Sequence, residues 1–289
     1  MEHPKGESLI KLLDDPDQVV FEAVSHKMQQ MGAELLPDLE TAAMEAMSPV
    51  LHERIEMIIK ILQYDQLKSE FIDWINSPCP ELMVGAWLLS RYQFPDLSKE
   101  QFVGLIKPLR DEIWLEVSDS LTALEKIRIM NTLIYGKNKV VLNESHPDSP
   151  GNNFINRVIE TGKANEHSLN LLYAIIGQDL GIPVFVADMP GYPILTYVDM
   201  PMTAGENIDP GLFDVLFYIN PVEKGTMHSR KDISDYLLRQ SLPLEQTFYH
   251  PRTNPFFIMI CLKKLALDYD LAGSEKRSLQ VLDLIALWK

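Results

Sequence analysis

Few residues of this 289-residue chain could carry chemistry, and they are scattered. Glu166, His167 and Ser168 are consecutive at the start of an apolar run. A serine beside a histidine suggests a nucleophile and a base. Adjacent positions on a helix point about 100° apart, however, so the two make a poor hydrogen-bonded couple. Ser168 is expected instead to pack at the helix start, with Asn165 or a neighbour as the cap. Glu166 would be a general base if burial raised its pKa. The helix dipole opposes that rise and favours a structural carboxylate. Tyr192, between Gly191 and Pro193, reads as a half-buried strand residue with its hydroxyl satisfied. Asn220 precedes Pro221, which biases it to extended backbone, and its amide is expected to tie down a turn at 220–225.

The remaining candidates are weaker. Cys79 and Cys261 are the only cysteines, which excludes a C-x-x-C metal or redox motif. Both are expected to be reduced thiols of an intracellular protein. His228 and His250 fall in predicted loops without i, i+4 partners, so no metal site is expected. Asp188, Asp199 and Asp214 flank predicted strands and are expected to end them or face solvent. Neither a dinucleotide-binding glycine fingerprint nor a phosphate-binding loop motif occurs, and no cofactor is expected.

Net charge is −15, which repels phosphate backbones and anionic bilayers, so neither nucleic acid nor membrane is an expected partner. The start of the chain lacks the apolar core of a signal peptide. The longest apolar run, 255–262, is too short to span a bilayer. The expected location is the cytoplasm.

The elements that must position these residues divide the chain. Residues 1–76 read as helical. Asp15 is expected to cap a helix opened by Pro16 and carried by Val19, Val20, Ala23, Val24 and Met28. Gly32 ends it, and Leu35, Leu36 and Leu39 begin another. This helix pair resembles a HEAT-type repeat, with a weaker second copy over 49–75; the alternative is a plain helical bundle. The proline-rich joint 76–81 marks a domain boundary. Beyond it, 81–93, 98–116 and 120–135 read as helices, with Ser98 and Gln101 as a capping box. After a loop, a broadly apolar and buried helix is expected over 166–180, stopped by Gly181. Strands are expected at 183–188, 193–198 and 213–221, forming a small antiparallel sheet on that helix. Helices return at about 229–239, capped by Ser229, then at 255–269 and 274–288 as a hairpin of tetratricopeptide type.

Three segments in this order, "LLSRYQFPDLS", "NNFINRVIETGKANEHSLNLLYAIIGQDLGIPVFVADMPGYP" and "FYINPVEKGTMHSRKDISDYL", resemble the SirB-type family of bacterial transglutaminase-like proteins. The resemblance covers 81–289. It implies an α+β, papain-like core (149–240) within a domain over 77–289, preceded by helices (77–136) and followed by the hairpin 254–289. In that fold a cysteine at the start of a buried helix is activated by a histidine on a neighbouring strand. An acidic residue on the next strand orients the histidine. Carried onto this chain, the three slots fall at Glu166 (with His167 and Ser168 beside it), Tyr192 and Asn220. None carries the catalytic residue type. A tyrosine, with a reference pKa of about 10, is no base at neutral pH.

Two functions are therefore open. One is a non-catalytic transglutaminase-like protein acting through a protein partner or in regulation. The other is an amide or peptide hydrolase with a rearranged site built from Glu166, Ser168 or Tyr192.

Overall fold

The computed structural model describes residues 4–137, 140–191, 193–200 and 209–288, with side chains from residue 8 onward and without that of residue 137. The chain divides into two compact units, 1–73 and 74–289.

In the first unit, α1 (Pro4–Leu12), α2 (Gln18–Met31) and α3 (Leu36–Glu45) pack with α4 (Pro49–Ile75), most of which belongs to this unit. Phe21, Val24 and Met28 of α2, Leu35 and Leu39, and Ile55, Ile58 and Leu62 of α4 form its core. Those positions recur at the three- and four-residue spacing of one helix face. The cap of α2 is Asp17 rather than Asp15: its carboxylate accepts from the Val19 N–H at 2.9 Å. Asp15 accepts from the Asp17 N–H one turn earlier, so Pro16 lies outside the helix. Residues 49–75 form one uninterrupted helix, not the helix pair that a second repeat requires. The reason is local: no glycine or proline follows Pro49 in that segment to break it.

The second unit begins with α5 (Leu82–Arg91), α6 (Lys99–Glu116) and α7 (Ala123–Asn131). Ser98 and Gln101 form the expected capping box on α6, and Thr122 and Glu125 form another on α7. A π-helical turn, 132–137, follows α7. Strand β1 (Val141–Leu142) then pairs in parallel with β2 (Lys163–Ala164), and α8 (Ile155–Thr161) lies between them in sequence. Helix α9 (Glu166–Asp179) is buried without interruption from Ser168 through Gly177. Gly177 lets it approach the sheet closely: a Cβ there would overlap the Val184 side chain.

The sheet is an antiparallel meander in the order β3 (Val184–Ala187), β4 (Ile194–Val198), β5 (Val215–Asn220), β6 (Thr226–His228). Val184 pairs with Tyr197, Leu195 with Ile219, and Tyr218 with His228; a bulge at Tyr197/Val198 shifts the register between β4 and β5. The three expected strands are present and β6 is an addition. Helix α10 (Arg230–Arg239) opens on the expected Ser229 cap. A hairpin of α11 (Asn254–Leu271) and α12 (Glu275–Ile285) closes the unit. The architecture is α+β: a helical N-terminal half, a small antiparallel sheet on a buried helix, and C-terminal helices.

Candidate functional site

The start of α9 is built by a buried polar chain. Asn165 is the cap: its Oδ1 accepts from the Ser168 N–H at 2.8 Å, and the Asn165 N–H donates to Ser168 Oγ at 3.1 Å. The Ser168 hydroxyl in turn donates to the Asn165 carbonyl at 3.3 Å. Ser168 is 1% exposed and packs at the helix start beneath the Asn165 cap, as expected, with its hydroxyl bonded to Asn165. Asn165 Nδ2 donates to Asn153 Oδ1 at 2.8 Å, and Asn153 Nδ2 donates to Asp268 Oδ2 at 2.6 Å. Lys264 on α11 completes the chain, donating to Asp268 Oδ1 at 2.6 Å and to Asp148 at 3.2 Å. Burial raises the Asp268 pKa; the Lys264 ammonium and the Asn153 amide pull it back in part. Burial alone would lower the Lys264 pKa, but the two carboxylates more than offset it.

His167 and Glu166 differ from Ser168. Burial, and secondarily the Lys264 charge, pushes the His167 imidazole down to about 4, so it is neutral near pH 7. Its Nδ1 is buried and makes no hydrogen bond. Glu166 is half-buried, and its backbone carbonyl accepts from Asn170 Nδ2 at 2.8 Å.

Asn220 ends β5 and is 5% exposed. Its Oδ1 accepts from the Val222 N–H at 3.1 Å, and its carbonyl accepts from the Gly225 N–H at 2.9 Å. The amide thus ties down the 220–225 turn, as its place before Pro221 predicts. A second clamp was not legible: Asn131 of α7 donates to the Gly225 carbonyl at 2.8 Å and accepts from the Tyr173 hydroxyl of α9 at 2.8 Å. One side chain therefore links the turn to the buried helix. Tyr192 lies outside the described residues.

A cavity of about 320 Å³ opens beside Asn220, between the end of β3 and α10. Asn220, Glu223, His228, Asp232, Asp235, Tyr236 and Arg239 supply its polar lining, and Met189 and Ile194 part of its apolar lining. Glu166, His167 and Ser168 do not line it. His228, expected in a loop, ends β6 instead, with Nε2 3.5 Å from Glu223 Oε2. The missed strand explains the missed pair. "TMH" is three residues long and has no periodicity, while the turn that folds it back on β5 depends on the clamp from Asn131. The Ser229 hydroxyl and backbone N–H, both donating to Asp232, hold that carboxyl below its usual range. An imidazole beside a carboxylate is the usual arrangement of a base and the group that orients it. Among the described residues, no serine, threonine or cysteine lines this cavity. Cys261 is buried in α11, where burial pushes its thiol pKa far up. Among the described residues, no three His, Cys, Asp or Glu side chains group as metal ligands.

Residues 100–263 match the family model of the transglutaminase-like superfamily. The match runs from the first turn of α6 into α11, and so takes in α9, the sheet and the cavity. Neither a curated protein nor a solved structure matches the chain. With more than half of its length matched, the chain belongs to the transglutaminase-like superfamily.

Proposed function

We propose that this chain is a non-catalytic transglutaminase-like protein that acts through a protein partner or in regulation. The observation that carries this reading is the state of Ser168. It is the one hydroxyl in the helix-start slot, and it is buried and committed to Asn165. A nucleophile needs an exposed oxygen or sulfur with a base in reach. Tyr192 offers no base near neutral pH, and Asn220 offers no charge to an imidazolium. In this reading the chain falls in the SirB-type bacterial branch and works in the cytoplasm. The helical segment 1–76, of HEAT-like character, serves as the partner platform. Met44 and Met47, 81% and 99% exposed at the end of α3 and just beyond it, favour that role.

The test is hydroxamate formation from a glutaminyl peptide with hydroxylamine, run beside hydrolysis of simple anilides. The expected result is no turnover above a protein-free blank. Turnover that disappears in Glu166→Gln or His167→Gln, with folding intact, overturns the proposal.

One observation favours the second reading, a hydrolase with a rearranged site. His167 is a neutral imidazole with an unpartnered Nδ1 near the helix start, a protonation state suited to a general base. On that reading the same assays give turnover that falls as pH drops towards 4 and is lost in His167→Gln.

A further inference from the structure

A second cavity in the same unit is larger and has a different chemistry. It measures about 650 Å³, inside the range of about 300–1,000 Å³ that small-molecule sites occupy. It opens where the C-terminal end of α9 meets the start of β3, on one side of the joint that precedes α5. Its apolar lining includes Met83, Ile182, Pro183 and the ring of Phe185.

One wall is a closed amide pair. Asn254 Nδ2 donates to Gln178 Oε1 and Gln178 Nε2 donates to Asn254 Oδ1, both at 3.0 Å. Gln178 Nε2 also reaches the Val184 carbonyl at 2.9 Å, and Asn254 Nδ2 reaches the Pro80 carbonyl at 3.1 Å. Two side chains thus tie together α9, the start of α11, β3 and the joint before α5. A wall whose hydrogen bonds are already satisfied is preformed and loses little entropy when a ligand binds.

The charges are all of one sign. Glu81, Asp179 and Asp209 line the cavity, and among the described residues no lysine, arginine or histidine does. Asp179 is paired with Arg110 at 2.8 Å. Glu81 and Asp209 have no cationic partner among the described residues; the Asp209 carboxylate accepts only from the Gly211 N–H at 2.9 Å. Two unmatched carboxylates beside an apolar, aromatic-bearing hollow form an electrostatic complement to a cation on an apolar stem.

We propose that this cavity binds an amphipathic cation, an ammonium or guanidinium carried on an apolar chain. Glu81 and Asp209 meet the charge, while Ile182, Pro183 and Phe185 take the stem. The ligand is a free organic amine or the lysine or arginine side chain of a partner protein. The cavity uses none of the residues at the start of α9, so this binding does not depend on whether the chain is catalytic.

Cys79 lines the cavity and Cys261 is buried, so alkylation of the native full-length chain reads Cys79. Iodoacetamide labelling at Cys79 is followed with 4-phenylbutylamine, 4-phenylbutanol or 4-phenylbutyrate present. A second arm uses acetyl-Leu-Lys-Leu-amide against the same peptide with glutamate in place of lysine. The amine is expected to slow labelling at concentrations at least about tenfold below those of the alcohol, and the carboxylate is expected to have no effect. The double variant Glu81→Gln/Asp209→Asn should lose about tenfold in amine affinity by calorimetry, with an unchanged thermal midpoint. Asparagine at 209 still accepts from Gly211, so that turn survives. Protection by the amine alone assigns a free amine; protection by the lysine peptide as well assigns a partner side chain. Equal protection by amine, alcohol and carboxylate, no protection by any probe, or full affinity in the double variant overturns the proposal.

Discussion

The Asn131 side chain occupies the space where a Cβ on residue 225 would lie, and its amide donates to the Gly225 carbonyl at 2.8 Å. Gly225 has φ +75°, so a side chain there faces a backbone penalty and a collision with Asn131. The backbone penalty alone is roughly 1–2 kcal/mol. Gly225→Ala is therefore expected to lower stability by about 2–4 kcal/mol, at the high end for a single substitution. Gly181, at φ +71° with open space around its Cβ position, is the control. Gly181→Ala is expected to cost about 1 kcal/mol, the strain without the collision. Urea midpoints of the two variants at equal m-value check this; equal losses would mean that Asn131 moves aside freely.

Stability should depend on pH through His167. Its folded pKa, about 4, lies below the ordinary 6.5. Between those values the unfolded chain binds the proton more readily, so stability falls as pH drops from about 6.5 to about 4. The loss is on the order of 3 kcal/mol when complete. Asp268 works in the opposite sense, because its raised pKa makes stability fall as pH rises through the carboxylate range. The difference between wild type and His167→Gln isolates the histidine. At pH 7 the variant is expected to be the less stable or equal, and by pH 4.5 the gap should have moved in its favour. A gap constant from pH 7 to pH 4.5 would show that the imidazole titrates normally.

The sequence made some of this readable through local signals. The boundaries of α9 follow from a broad apolar run closed by Gly181, and β3, β4 and β5 follow from alternation between turn residues. Asn165, Ser98 and Ser229 cap as their positions predict. The partners of Asn165 were out of reach. Asn153 lies twelve residues before Asn165, and Asp268 lies 115 residues after Asn153; no local pattern encodes a contact of that range. The same holds for Asn131 and Gly225, 94 residues apart. The parallel pair β1–β2 is two residues long on each side, too short to show a period. The second repeat failed for the opposite reason. Residues 49–75 do carry a helical period, but with no break inside it that period continues as one helix.

The two cysteines should behave differently in the native protein. Cys261 is 2% exposed and burial pushes its thiol pKa up, so little thiolate forms and little reagent reaches it. Cys79 is half-exposed at the larger cavity. Thiol titration should give one reactive group per native chain and two in denaturant. Rapid reaction of both groups before unfolding would contradict the buried placement of α11.

Ser168 gives the sharpest separation of structure from chemistry. Its hydroxyl accepts from the Asn165 N–H and donates to the Asn165 carbonyl, while the Asn165 side chain caps the Ser168 N–H in return. Ser168→Ala removes one half of this capping box and leaves a buried backbone N–H without its acceptor. Losing a cap costs about 0.5–2 kcal/mol, and an orphaned buried donor about 1–3 kcal/mol. A net loss of about 2 kcal/mol is expected. Asn165→Ala should cost more, because it also removes the donor to Asn153 and leaves the Asn153–Asp268 pair incomplete. Neither variant should alter the hydroxamate or anilide assays, which are expected to stay at the blank. Ser168→Cys puts a thiol in the helix-start slot, yet it should give no turnover, since the slot is buried and no imidazole is hydrogen-bonded there. Detectable turnover in wild type that vanishes in Ser168→Ala, at a temperature where the variant is fully folded, would make the serine a nucleophile and remove the ground on which the non-catalytic reading rests.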